Sequence, residues 1–194
     1  MDEKTNKTQR PADFVHHHSG RSSEERLNKE RILKELNILP GQTVIDAGCG
    51  NGYMAKEFSK LVKETGTVYA LDADEEAIER LKKETAKTNI EARAADITEA
   101  IPAGDGSADL IYMSNVLHGF TEGRIEGFQK EVKRVLKPKG RLAIVEIQKE
   151  ETAGGPPMEI RFSPEELRQT IKLPAGATAE AGEHYYIQIF ENTK

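Results

Sequence analysis

Cysteine is almost absent from this sequence of 194 residues, in which Cys49 is the single example. One cysteine excludes an intrachain disulfide and a metal site built from several thiolates, and it favours a reducing, cytoplasmic setting. An excess of positive charge is also lacking, since 28 Lys and Arg residues stand against 33 Asp and Glu residues, a net charge of −5. A mildly acidic chain has no overall electrostatic attraction to nucleic acid or to anionic lipid.

Long apolar runs are missing as well. The longest are the length of a β-strand, far short of the roughly 20 residues that a membrane-spanning helix needs. Residues 1–21 are polar and have no apolar centre, so we expect a flexible N-terminal arm there and no signal peptide. Hydrophobic residues make up 37% of the chain, which is enough for one core, and we expect residues 22–194 to form a single domain.

The sequence does contain an alternation of strand-like and helix-like segments. Short apolar runs predict strands at residues 43–47, 67–72, 90–95, 108–113, 141–147, 177–180 and 185–190. Apolar residues recurring every three or four positions predict helices at residues 23–37, 53–64, 75–88, 122–136 and 164–171. Such an alternation predicts an α/β fold with a mainly parallel, doubly wound sheet.

Local signals mark the ends of several predicted helices. N-caps are expected at three polar residues, namely Ser22, Asp74 and Ser163. The segment Lys137-Pro138-Lys139-Gly140 is predicted to end a helix and to turn into the fifth strand.

A glycine-rich turn follows the first predicted strand of the sheet, where ligands of such folds bind. Gly48, Gly50 and Gly52 have the spacing G-x-G-x-G, whereas dinucleotide-binding folds use G-x-G-x-x-G. Asp46 precedes this turn and would repel a pyrophosphate but suit a cationic group. Asp72 ends the next strand, where a carboxylate can accept both hydroxyls of a ribose. Together the two carboxylates indicate a nucleoside joined to a cation.

The stretch from Val44 to Gly52, VIDAGCGNG, resembles the first motif of class I S-adenosylmethionine-dependent methyltransferases. Asp72, Asp96 and the later strands fall where that family places them, and the resemblance covers residues 40–190. Among subgroups, the chain is most similar to the type 11, ubiquinone/menaquinone-biosynthesis-like methyltransferases. The resemblance implies a three-layer, Rossmann-like fold with seven strands, mainly parallel, with an antiparallel last strand.

The resemblance also implies a cofactor, S-adenosylmethionine, with S-adenosylhomocysteine as the product. It places the methionine amino group at Asp46, directly or through water, the methionine moiety over Gly48 and Gly50, and the ribose at Asp72. The other implied cofactor contacts are Cys49, Gly52, Ala73 beside the adenine, Asp96 at the adenine amino group, Ile97 at the ring, and Ser114 near the methionine carboxylate or the acceptor.

The methyl acceptor is expected to be a small molecule, methylated by in-line displacement, which demands mainly orientation and a water-poor pocket. The residues expected to line its pocket are His16, His17, His18, Asn115, His118 and Glu146. No metal is expected, because consecutive histidines of a regular element point in different directions.

Three of the expected cofactor and acceptor residues have a second interpretation. His118 is the candidate general base, needed only if the acceptor loses a proton, but it could equally be a packing histidine. Asp96 could simply open a turn with Thr98. Glu146 could be a pocket carboxylate or an exposed charge at the end of its strand.

Three other functions compete with this prediction. The glycine spacing and the lack of a Tyr-x-x-x-Lys pair disfavour a nicotinamide-dependent oxidoreductase. A non-catalytic S-adenosylmethionine-binding protein would use the same binding residues. A methyltransferase acting on protein or nucleic acid is a further alternative, in which nucleic acid is disfavoured by the net charge and by Ser114-Asn115-Val116-Leu117 in place of an Asn-Pro-Pro-Tyr-type motif. We expect a cytoplasmic monomer or homodimer without a membrane span.

Overall fold

The computed structural model describes residues 26–193, so the expected arm, the cap at Ser22 and the three consecutive histidines lie outside the described residues. The strands are β1 (Thr43–Ala47), β2 (Thr67–Asp72), β3 (Ile90–Ala94), β4 (Ala108–Ser114), β5 (Leu136–Ile147), β6 (Ala175–Gly182) and β7 (Tyr185–Glu191). The α-helices are α1 (Lys29–Leu36), α2 (Tyr53–Val62), α3 (Glu75–Thr85), α4 (Glu122–Val135) and α5 (Pro164–Thr170).

The seven strands form one sheet in the order β3-β2-β1-β4-β5-β7-β6. The first five are parallel, β7 runs antiparallel to β5, and β6 runs antiparallel to β7. The order reverses between β1 and β4, so the carboxyl ends of these two strands border the crevice in which open α/β sheets bind ligands. The expected seven-stranded sheet with an antiparallel last strand is confirmed.

Helices cover both faces of this sheet and bury two hydrophobic clusters. One cluster joins α1, α2 and α3 to one face, through residues such as Leu36, Phe58 and Leu81. The other joins α4 and α5 to the opposite face, through residues such as Phe128, Val132 and Leu167. The parallel strands read as nearly continuous apolar runs because they are buried on both sides, and the expected three-layer architecture is confirmed.

The first helix starts later than its sequence pattern predicts. It begins at Lys29 instead of residue 23, with Asn28 as its N-cap, whose side chain accepts from the Arg31 N–H. Leu27 forms an antiparallel bridge with Gly182, and the Asn28 N–H donates to the Ala181 carbonyl at 2.7 Å. Backbone pairing to β6 therefore holds these residues extended, although their side chains fit a helical period.

The other two predicted caps are confirmed. Asp74 accepts from the Ala77 N–H at 3.0 Å at the start of α3. Ser163 and Glu166 form a reciprocal capping box at the start of α5.

The predicted turn at residues 137–140 is wrong, because these residues belong to β5. The strand starts at Leu136, directly after α4, and its register against β4 shifts between Ala108 and Leu110. The extra residues form a bulge in which Lys139 has a φ of 63°. Asn192 stabilises the bulge, since its carbonyl accepts from Lys139 and its N–H donates to Gly140. Pro and Gly at this place thus mark an irregular strand instead of a chain reversal.

Candidate functional site

Two of the three motif glycines are required by packing inside the protein. A Cβ at Gly48 would lie 2.5 Å from a methyl group of Val116, and a Cβ at Gly52 would lie 2.4 Å from a methyl group of Leu81. Both glycines have positive φ, 81° and 74°, which other residues adopt only with strain. The third glycine therefore lets α2 pack closely on α3, although it comes one position earlier than in dinucleotide-binding folds.

Gly50 differs from its neighbours because it faces open space. No atom lies within 4 Å of the place where its Cβ would be. Its N–H donates to Asp72 Oδ2 at 2.8 Å, and the Asp74 N–H donates to Asp72 Oδ1 at 2.9 Å. Asp72 itself is buried at the end of β2. These two bonds hold the Asp72 carboxylate in a fixed orientation beside the glycine turn, and each of its oxygens keeps further acceptor capacity.

Asp46 is a buried carboxylate without a positively charged partner. It lies near the end of β1 on the face covered by α1, α2 and α3, where it faces the N–H of Ala55 in the first turn of α2. Burial raises the pKa of Asp46 to about 7, the Ala55 N–H opposes this rise, and the nearby Asp72 carboxylate adds to it. An ionised Asp46 is therefore costly in the ligand-free protein, and a cation placed beside it would relieve that cost.

A second buried polar group accompanies Asp46. Among the side chains of residues 26–193, two buried oxygens have no hydrogen-bond partner, Asp46 Oδ2 and the hydroxyl of Tyr112. The two residues are directly paired in register on adjacent strands, so their side chains leave the sheet on the same face. Sequence reasoning missed Tyr112, because it looks like an ordinary apolar strand residue; its pairing with Asp46 becomes visible only once β1 and β4 are neighbours.

Asp96 follows β3 and opens a turn with Thr98, as its second interpretation predicts. Its Oδ1 accepts from the N–H and the hydroxyl of Thr98, at 2.9 and 2.7 Å, so it does open a turn. Its Oδ2 pairs with Arg124 at 2.9 Å. Partial burial opposes the change, but the Thr98 bonds and Arg124 lower the pKa of Asp96 below its usual range. Asp96 stays at the ligand edge, because the neighbouring Ala95 N–H donates to the Asp72 carbonyl at 2.9 Å.

The remaining predicted cofactor residues lie around the same edge. Ile97 is buried, whereas Ala73 is exposed just beyond β2. Cys49 is buried in the glycine turn, and burial together with the neighbouring carboxylates raises the pKa of its thiol, which makes it a poor nucleophile.

Ser114 is the last residue of β4, and Asn115 follows it directly. Asn115 has a φ of 56°, its N–H donates to the Val145 carbonyl at 2.9 Å, and its side-chain amide donates to the Ser114 hydroxyl at 3.3 Å. Both residues are half-buried. The left-handed backbone at Asn115 turns the chain away from the sheet and into the segment that carries His118.

His118 and Glu146 form a buried pair at the carboxyl ends of β4 and β5. His118 lies in the short 3-10 turn Leu117–Gly119, and its Nδ1 is 2.7 Å from Glu146 Oε2. The His118 backbone N–H donates to Glu146 Oε1 at 3.2 Å. His118 is 4% exposed and Glu146 is fully buried, so the interpretation of Glu146 as an exposed strand-end charge is wrong. One carboxylate thus fixes both the backbone and the ring of this histidine.

An open cavity of about 890 Å³ lies at the same edge, beyond the carboxyl end of β5. It is lined by Ile147, by residues 152–154 and by the start of α1 and the β6–β7 turn. Of the predicted site residues that the structure describes, none lines it. Ile147 belongs to the hydrophobic cluster under α1, whereas Glu146 points to the opposite face. The cavity and the His118–Glu146 pair therefore lie at one edge but on different faces of the sheet.

The residues at the crevice fit the S-adenosylmethionine that the sequence resemblance implies. The unpartnered oxygen of Asp46 suits an ammonium group, the fixed Asp72 carboxylate suits a ribose, and the open space at Gly50 lets a ligand approach the backbone. Within residues 26–193, no cluster of three His, Cys, Asp or Glu side chains could hold a metal ion. None of the helices formed by those same residues is both long and apolar enough to cross a membrane.

Known proteins give the same assignment. A family model described as a methyltransferase domain matches residues 44–140, half of the chain. An uncharacterized methyltransferase of Synechocystis is 33% identical over 117 residues, which is 60% of this chain and 52% of the relative. A ubiquinone/menaquinone biosynthesis C-methyltransferase of Escherichia fergusonii is 35% identical over 128 residues, 64% of this chain and 50% of the relative. The chain spans about half the length of these curated relatives.

Solved structures agree over more of the chain. A SAM-dependent methyltransferase from Aquifex aeolicus is 31% identical, superposes with a TM-score of 0.76, and covers 88% of this chain and 92% of its own. A TehB-like SAM-dependent methyltransferase from Corynebacterium glutamicum, 21% identical with a TM-score of 0.66 over 84% of this chain and 86% of its own, shares the fold. The chain therefore belongs to the S-adenosylmethionine-dependent methyltransferases, enzymes whose methyl donor is S-adenosylmethionine.

Proposed function

We propose that this enzyme transfers a methyl group to a small molecule whose reacting group gives up a proton. The observation that carries the proposal is the buried contact between His118 and Glu146 at 2.7 Å, at the same edge of the sheet as the glycine turn. A buried imidazole held by a carboxylate is suited to accept a proton, because the carboxylate stabilises the charge that develops on the ring. The C-methyltransferase relatives support a small-molecule acceptor.

The cofactor contacts in this proposal follow from the crevice. Asp46 binds the methionine amino group, Asp72 binds the ribose hydroxyls, and Asp96 and Ile97 border the adenine. The glycine turn and Ser114 lie along the methionine moiety. When bound, S-adenosylmethionine supplies a methyl group that is already activated for displacement, so the protein has to supply orientation and exclusion of water.

The proton in this proposal moves to His118. Since Nδ1 contacts Glu146, the transfer is assigned to Nε2, and Glu146 keeps the ring oriented and balances the imidazolium charge. The reacting atom of the acceptor then attacks the methyl carbon in line with its bond to sulfur. Asn115, in the segment leading to His118, borders the acceptor in this proposal.

We further propose that residues 1–21 form an arm that closes over the acceptor, with His16, His17 and His18 facing it. Support comes from Leu27 and Asn28, which pair with the end of β6 beside the 890 Å³ cavity. Residue 26, the first that the structure describes, therefore lies at the edge of the sheet where the ligands are proposed to bind. Deletion of residues 1–18 should impair turnover and leave the affinity for S-adenosylhomocysteine within about twofold, since a lid acts on the acceptor side. A deletion variant with normal turnover would remove the arm from the proposal.

The experiment that tests the function follows release of S-adenosylhomocysteine from S-adenosylmethionine with a fractionated cell extract. We expect the small-molecule fraction to support release and the protein and nucleic-acid fractions not to. An Asp72→Asn variant is the matched control, because it keeps the volume of the side chain and weakens the proposed ribose contact.

Methylation confined to the protein or nucleic-acid fraction would overturn the small-molecule acceptor. S-adenosylhomocysteine binding with no release in any fraction would favour a non-catalytic binding protein. A cytoplasmic location, favoured by the single cysteine, belongs to the same proposal and is checked by cell fractionation.

A further inference from the structure

Tyr112 is a buried polar residue that the proposed reaction does not use. It is 1% exposed, and its hydroxyl is one of the two buried side-chain oxygens without a hydrogen-bond partner in residues 26–193. A buried hydroxyl without a partner costs roughly as much as a lost hydrogen bond. Phenylalanine would fill the same space without that cost, so a functional role would explain why the hydroxyl is present at this position.

The second unpartnered oxygen lies on the neighbouring residue of the sheet. Asp46 and Tyr112 are register partners on parallel strands, and both point to the face covered by α2. Burial raises the pKa of the Tyr112 phenol, the nearby Ser114 side chain, which is not within hydrogen-bonding geometry of it, lowers the pKa, and charge on Asp46 raises it, so Tyr112 and Asp46 interact electrostatically. A phenol can donate a hydrogen bond, which an ionised Asp46 could accept. The two unsatisfied groups are therefore complementary.

The ring of Tyr112 is fixed by its surroundings. It packs edge-on against Phe58 of α2, with ring centroids 5.1 Å apart and an interplanar angle of 78°. This contact uses the ring and not the hydroxyl, so replacement by phenylalanine would keep the packing. The hydroxyl can thus be removed without opening a cavity.

We propose that Tyr112 is a positioning residue of the cofactor site, whose hydroxyl donates to the Asp46 carboxylate when the ammonium group of the cofactor is bound. The ammonium group keeps Asp46 ionised, and the phenol then stabilises the negative charge from the side of the core. Tyr112 acts through Asp46 and does not touch the ligand. The inference rests on the proposed contact between Asp46 and the methionine amino group.

The test uses the full chain and two ligands, of which only one carries the amino group that Asp46 is proposed to bind. S-adenosylhomocysteine carries the amino and carboxylate groups, whereas 5′-methylthioadenosine lacks both. We expect Tyr112→Phe to weaken S-adenosylhomocysteine about tenfold by calorimetry and to leave 5′-methylthioadenosine unchanged, because a hydrogen bond to a charged group is lost. The same variant should raise the melting temperature of the ligand-free protein, because an unsatisfied hydroxyl is removed.

Tyr186→Phe is the matched control. Tyr186 is equally buried, but its hydroxyl donates to the Phe162 carbonyl at 2.9 Å on the face covered by α4 and α5. Removing this hydroxyl should lower the melting temperature and leave the affinity ratio of the two ligands unchanged. The two tyrosines are thus expected to shift stability in opposite directions.

A second measurement separates positioning from packing. Tyr112→Phe should move the midpoint of the pH dependence of S-adenosylhomocysteine affinity upward, because ionised Asp46 loses a donor. Unchanged S-adenosylhomocysteine affinity in Tyr112→Phe, or equal weakening of both ligands, would overturn the inference. If Asp46→Asn also leaves S-adenosylhomocysteine affinity unchanged, the proposed cofactor contact itself fails; if Asp46→Asn weakens it and Tyr112→Phe does not, only the inference on Tyr112 fails.

Discussion

Two buried carboxylates at the same edge of the sheet differ in how completely the protein satisfies their hydrogen bonds. Glu146, at the end of β5, is fully buried and contacts the ring and the backbone N–H of His118. Asp46, near the end of β1, is 3% exposed and has one oxygen without a partner and a pKa raised by burial to about 7. Glu146 is satisfied by its own chain, whereas Asp46 is not, and the difference indicates which of the two is built for a ligand.

The two carboxylates also lie on opposite faces of the sheet. Asp46 points toward α2 and Glu146 toward the side of α4 and α5. At this edge, Asp46 therefore lies on one side of the sheet and the His118–Glu146 pair on the other. The proposed division of labour, cofactor at Asp46 and proton transfer at His118 and Glu146, follows this geometry.

The largest expected effect concerns the hydrogen-bonded pair of His118 and Glu146. His118→Gln should lower kcat by about 10²- to 10⁴-fold, the usual contribution of a general base, and should leave S-adenosylhomocysteine affinity within twofold. Glu146→Gln keeps an oxygen for the His118 N–H and should lower kcat by about 10²-fold. Steady-state kinetics with saturating cofactor measures both. Full activity of His118→Gln would make the pair a structural contact.

The next effect concerns Asp72, whose carboxylate is partly satisfied by the protein, between the cases of Glu146 and Asp46. Asp72 receives the Gly50 and Asp74 N–H groups but keeps acceptor capacity at the crevice. Asp72→Asn should weaken S-adenosylhomocysteine about 10- to 100-fold, because charged hydrogen bonds contribute about 1.5–3 kcal/mol. Calorimetry gives the affinity, and a circular dichroism spectrum like that of the wild type shows that the fold persists. An unchanged affinity would remove Asp72 from the ribose site.

A somewhat smaller effect is the pH dependence of cofactor affinity. A cation favours ionised Asp46, so affinity should rise with pH and level off above about 7, with a change of about twentyfold between pH 5.5 and 7.5. The groups that face Asp46 are Asp72, Cys49 and Tyr112. 5′-Methylthioadenosine should show no such rise, and an equal rise for both ligands would assign it to a group other than Asp46.

The smallest effect is on the stability of the ligand-free protein. The pKa of Asp46 is raised above its ordinary value of 3.8, so the contribution of Asp46 to stability is present below pH 3.8 and is lost as the pH rises to about 7. The loss is at most on the order of 4 kcal/mol, and Asp46→Asn should recover part of it at pH 7.5 but none near pH 4. Glu146→Gln should instead lower the melting temperature, because it weakens a satisfied pair. Equal shifts in both variants would contradict the comparison.

The sequence predicted the parts of the fold that depend on local signals. The run from Thr43 to Gly52 combines a buried strand, left-handed glycines and a helix start, and the structure has strand, turn and helix there. Asp74 and Ser163 were found as caps because a cap involves residues only three positions apart. The antiparallel β7 came from the family resemblance instead of from a local signal.

Features that depend on distant residues were not predictable. The bulge in β5 needs Asn192, more than 50 residues away, to bond Lys139 and Gly140. The contact between His118 and Glu146 joins residues 28 apart and exists because β4 and β5 are neighbours. Tyr112 became a candidate only through its register with Asp46. In each case, the missing information was the order and register of the strands.

The bridge between Leu27 and Gly182 has a practical consequence for labelling this enzyme. It places residue 26 at the edge where the strands present their ligand-facing ends, whereas Asn192 pairs with Gly140 at the far edge. A fluorophore attached at Arg26 would lie at the edge of the sheet where ligands bind, on the side of β6. The same label attached at Asn192 would lie at the far edge, separated from the ligands by the length of the parallel strands.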